Sequence, residues 1–109
     1  MTVTDPKLMS GLELDAEISA ARGLERMDHA YFNDPDAWNL LCWLSQQSWC
    51  QGVELDRNAA FVTVGEDGLS LDRMFASCYR SGDGDPSGQR RAALVRATVK
   101  ALRVVKETS

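Results

Sequence analysis

The only histidine, His29, directly follows Asp28. A carboxylate that orients an imidazole is half of an acid–base device. Adjacency along the chain does not orient the ring, and no nucleophile lies nearby to complete a constellation. His29 therefore reads as a surface loop histidine. The cysteines are Cys42, Cys50 and Cys78, an odd number with no CxxC spacing. That argues against a disulfide framework and against a zinc site. Cys–His catalysis would need distant residues to meet. Free, buried thiols in a reducing cytosol are the expectation. Asp83-Gly84-Asp85 echoes part of a calcium loop but lacks the later ligands and the closing glutamate. Gly82, Gly84 and Gly88 before a helix could cradle phosphate, yet the two aspartates would repel it. The expectation is no catalytic residue, no metal and no cofactor.

The surroundings of these residues are ordinary. The chain has 109 residues, 44% of them hydrophobic and 26% charged, enough for one domain with a modest core. No apolar run approaches ~18 residues, so no membrane span is expected. Met1 to Ser10 has no basic region followed by an apolar run, so no secretory signal is expected either. Charge is uneven. Residues 1–88 carry 15 acidic and 6 basic side chains, and residues 89–109 carry 1 acidic and 6 basic. An acidic body with a basic tail disfavours nucleic-acid coating by the whole surface.

Periodicity places the elements. Residues 1–10 read as a flexible leader, 11–106 as one α+β domain and 107–109 as a C-terminal end. Leu14, Ile18 and Ala21 make the stripe of a first helix over about 11–23, with Glu13, Asp15 and Glu17 off the stripe and facing solvent. Residues 24–33 read as loop. Asp34 as cap, Pro35 and Asp36 open a second helix that runs to about Gln47. Ala37, Leu40, Leu41 and Leu44 form its stripe. Trp38 and Trp43 widen that stripe and predict burial along much of its circumference. Three strands follow. In the first, Trp49, Gln51, Val53 and Leu55 share one face, and Cys50, Gly52 and Glu54 share the other. The second is Ala60 to Val64, and the third runs from about Leu71 to Arg80. Short polar turns favour an antiparallel meander. A last helix starts near Ser87 to Gln89. The order is α-α-β-β-β-α, a three-stranded antiparallel meander packed against helices.

Three surfaces are candidates for binding. Phe61, Phe75 and Tyr79 share a sheet face too apolar to lie bare, and the first helix is expected to cover it. If it stays bare, a partner or a homodimer would. Glu13, Asp15, Glu17, Glu25 and Asp28 form a candidate acidic patch for a basic groove. Arg90, Arg91, Arg96, Lys100 and Arg103 could contact phosphates, although no aromatic residue interleaves with them along the helix.

Several patterns resemble the phage ABA sandwich domain, a family of small phage proteins. They are Leu12-Glu13-Leu14-Asp15-Ala16-Glu17-Ile18, the Ala37-Trp38 pair after Phe32-Asn33-Asp34-Pro35-Asp36, and Arg90-Arg91-Ala92-Ala93-Leu94-Val95-Arg96-Ala97. The resemblance spans about Gly11 to Leu102. The chain departs from the pattern in lacking an aromatic segment after the first helix and in its long third strand. The resemblance implies a non-enzymatic accessory role in the host bacterial cytoplasm and transfers no functional residue. With the acidic body, it leads to the expectation of a phage-encoded protein that binds and blocks a host protein, foremost a defence component such as a CRISPR effector. The alternatives are a nucleic-acid-binding module using the last helix, or a nucleotide-sequestering oligomer.

Overall fold

Ser10 and Glu13 cap the first helix reciprocally. The Ser10 hydroxyl accepts from the Glu13 N–H at 3.2 Å, and the Glu13 carboxylate accepts from the Ser10 N–H at 3.1 Å. Both N–H groups would otherwise lack a partner at the helix start. In the computed structural model, which describes residues 4–56, 59–66, 69–77 and 86–108, this helix, α1, spans Gly11–Ala21. It stops at Gly23, whose φ of 70° is a left-handed conformation that glycine adopts without penalty. The Gly23 N–H reaches Ala20 O and the Leu24 N–H reaches Ser19 O, the bond pair of a Schellman cap.

The second helix, α2, spans Asp34–Ser45. Its cap is Asn33, one residue earlier than expected, and the Asn33 Oδ1 accepts from the Asp36 N–H at 2.9 Å. Asp34 and Asp36 then lie in the first turn, where the helix dipole favours negative charge. Burial covers only one side: Ala37, Leu40 and Leu44 are buried, while Trp38, Asn39 and Cys42 are exposed. The expected burial around much of this helix is therefore corrected.

The sheet is an antiparallel meander in the order β1-β2-β3, with β1 Cys50–Leu55, β2 Ala59–Glu66 and β3 Leu69–Ser77. Ala60, Val62 and Val64 point inward and are buried, as is Ala76 on β3. Phe61 and Thr63 alternate to the outer face. The expected face assignment on β1 fails at one place. The register shifts between Cys50 and Gly52, so Cys50 pairs with Val64 and Val53 with Val62. A bulge at Gln51 turns Cys50 to the inner face beside Val53, because one extra residue reverses the alternation.

The last helix, α3, spans Pro86–Thr108 and packs along β2 and β3. Ala92, Ala93, Val95, Ala97, Val99 and Ala101 are fully buried along it. Small side chains let the helix lie close to the inner valines and alanines of the sheet. Thr98 is also buried, and its hydroxyl donates to Leu94 O at 2.8 Å, which satisfies it within the helix. α2 packs on β1, while α1 packs on α3. The first helix thus does not roof the outer aromatic face. Instead the Arg73 guanidinium stacks 4.0 Å from the Phe61 ring centroid and pairs with Glu54.

Residues 4–10, read as a flexible leader, are tied down. Pro6–Leu8 forms a 3-10 turn with Pro6 and Met9 buried. Arg103 on α3 donates to Thr4 O and to Met9 Sδ, and grips Glu17 at 2.9 and 2.8 Å.

Gly11 lies against the Tyr31 ring, and a Cβ there would come within 2.5 Å of it. Gly11→Ala should destabilise the fold by about 1–3 kcal/mol, since ring and helix must separate. Urea unfolding of the two chains measures this, and an unchanged midpoint would show that the contact is loose.

Candidate binding groove

Trp38 projects from α2 with 66% of its surface exposed. It sits one residue, about 100° round the helix, beyond the buried Ala37. Beside it lies Leu41, half-buried, and across from it Leu55, 47% exposed at the end of β1. With Leu94, Arg90 and Arg91 from α3 these side chains frame a shallow groove of about 270 Å³. The other two tryptophans behave differently. Trp43 and Trp49 are half-buried and meet edge to face at 6.1 Å.

One wall of the groove is fixed from behind by a chain of polar contacts. Arg91 Nη1 donates to Asp34 Oδ1 at 2.7 Å, and Arg91 Nε donates to Tyr31 O at 3.3 Å. The Tyr31 N–H in turn donates to Asp15 Oδ1 at 3.1 Å. Asp15 is 1% exposed, and its Oδ2 has no partner among the described residues. Burial raises its pKa to about 6; the Tyr31 N–H and His29 pull it back, while Asp36 and Asp28 push it further up.

Most of the residues expected to form an acidic patch are engaged within the fold. Asp15 is a correction: it faces the interior, because loop 22–33 folds back and sets the Tyr31 amide on it. Glu13 caps α1, and its bonds to Ser10 hold its carboxyl below the usual range. Glu17 grips Arg103, and Asp28 pairs with Arg22 at 3.0 Å. Glu25 is exposed. Asp28 Oδ2 is taken up by Arg22. The backbone N–H of His29 donates to Asp36 Oδ2 at 2.8 Å.

Phe61 is half-buried beneath Arg73, and its backbone pairs with Phe75. The Phe75 side chain, Tyr79, Cys78, Asp83 and Asp85 lie outside the described residues. Cys42 is exposed rather than buried; Cys50 is half-buried, and burial pushes its thiol pKa up. Along the basic helix, Arg91 and Arg103 make the bonds above. The Arg96 guanidinium lies 5.5 Å from the Tyr31 ring centroid. Lys100 is half-buried and Arg90 exposed.

Among the described residues, no group of three or more His, Cys, Asp or Glu is placed to hold a metal ion, and no helix is long and apolar enough to cross a membrane. The fold that frames the groove is α+β, with α2 and α3 against one face of the meander. No family model, curated protein or solved structure matches the chain. The similarity to the phage ABA sandwich domain thus rests on the residues quoted for it.

Sequence reasoning passed over Trp38, Leu41 and Leu55 as a group. One signal was present: Trp38 lies outside the arc of Ala37, Leu40, Leu41 and Leu44. Nothing in the sequence placed Leu55 opposite it.

Asp15 gives a pH prediction. Its folded-state pKa lies above that of an ordinary aspartate, so the folded chain holds the proton more tightly than the unfolded one. The stability this contributes is present in acid and lost as pH rises towards 6. Asp15→Asn keeps an oxygen for the Tyr31 N–H without the charge. From about pH 4 to pH 7, wild type should lose on the order of 2–3 kcal/mol relative to this variant. Parallel stability curves for the two chains across that window would contradict it.

Proposed function

We propose that this chain is a non-enzymatic protein-binding domain and that the groove at Trp38, Leu41 and Leu55 is its docking site. The observation that carries this is the exposure of Trp38. An indole held out of the core on a rigid helix presents a large apolar surface with little side-chain freedom to lose. Tryptophan is enriched among residues that dominate binding energy at interfaces. Covering this one would contribute on the order of 3 kcal/mol to docking. Leu41 and Leu55 extend the apolar surface on either side.

The partner we propose is a host protein that the chain blocks by occupying its surface, foremost a bacterial defence component such as a CRISPR effector. The resemblance to phage accessory proteins supports that choice. The basic helix offers less to a nucleic acid than its sequence suggests, because Arg91 and Arg103 already hold other parts of the fold.

Trp38→Ala should leave thermal stability nearly unchanged, since the side chain packs on little. It should abolish retention of a host protein that the wild-type chain captures. In a strain whose CRISPR system cleaves an incoming plasmid, wild type should restore transformation and the variant should not. Equal capture and equal protection by both chains would remove the groove from the function. Protection by neither would remove this choice of target.

A further inference from the structure

We infer that the occupant of the groove is an acidic peptide segment with one bulky apolar anchor, an inference that rests on the docking reading above. Size comes first. At about 270 Å³ the groove is smaller than sites that enclose a drug-sized ligand or cofactor, which start near 300 Å³ and are deeper. It has room for an anchoring side chain with its backbone left outside. The lining around that space is aliphatic and aromatic: Ala37, Trp38, Leu41, Leu55 and Leu94. Among the described residues that line it, Ser87 alone has a neutral polar side chain of the kind that could read the edge of a nucleobase.

Charge then selects among peptides. The chain has a net charge of −4, yet the described residues that line this groove carry more basic groups than acidic ones. Two arginines, Arg90 and Arg91, stand against one carboxylate, Asp34. Arg91 already bonds Asp34 at 2.7 Å. Arg90 is exposed and makes no ion pair among the described residues. A carboxylate flanking the anchor would meet Arg90 once the anchor is seated. A basic segment would be repelled here and drawn to the acidic remainder of the surface, so the rim sets both register and selectivity.

A random-peptide display library, panned on the wild-type chain and depleted on Trp38→Ala, tests this. Both positions are exposed, and melting curves of Trp38→Ala and Arg90→Glu establish that each variant folds. The selected peptides should pair a bulky apolar residue with nearby Asp or Glu. Their affinity should fall at least about tenfold on Arg90→Glu and weaken with added salt. Selection of neutral or basic peptides, or indifference to Arg90→Glu, would overturn the acidic-segment inference and leave the docking site standing. Recovery of no Trp38-dependent peptide, with single-stranded DNA instead shifting the Trp38 indole N–H signal, would overturn both.

Discussion

The backbone of Tyr31 is held on both sides by side chains from other elements. Its N–H donates to Asp15 on α1, and its carbonyl accepts from Arg91 on α3. Its ring lies on Gly11, the first residue of α1, and under the guanidinium of Arg96. One loop residue thereby joins the two helices and sets the start of α2, since Arg91 also binds Asp34. Buried backbone groups must find partners, and a loop crossing between helices cannot find them in regular structure. Asp15 and Arg91 supply those partners. The arrangement has a cost, because a carboxylate is kept from water with one oxygen unpaired. What it contributes is definition: the loop has one place to sit, and the walls of the groove follow from it.

The elements were legible because their signals are local. Gly23, and Pro35 after Asp34, each mark a helix boundary within a few residues, whereas the Ser10–Glu13 capping pair and the Asn33 cap were passed over. Alternation from Ala60 to Val64 is strong enough to set the sheet faces of β2. What could not be read depends on long separations. Asp15 lies among exposed-looking acids, and its partner is sixteen residues away. The bulge at Gln51 reverses a face by one residue without any glycine at the bulged position to announce it. Arg103 reads as one cation among six in the tail, yet it reaches Glu17, Thr4 and Met9 from the far end of the chain.

The last helix shows how composition misleads about role. A stretch with six basic residues suggests a phosphate-binding face. Several of these side chains instead hold the helical layer, where guanidinium groups bridge carbonyls, carboxylates and rings at once. Arg90 is the contrast. It shares the sequence context of Arg91 but points to the groove rim, one residue and about 100° away. The proposed docking surface is thus the place where a packed frame ends: Trp38 and Arg90 each adjoin a residue bound into the interior.

The Tyr31 clasp can be measured directly by native-state hydrogen exchange followed by NMR. If it defines the helical layer, the Tyr31 amide should exchange only on global unfolding, at a rate matching the buried amides of Val95 to Val99. A Tyr31 amide that exchanges as fast as exposed loop amides, while those of α3 stay protected, would contradict the account.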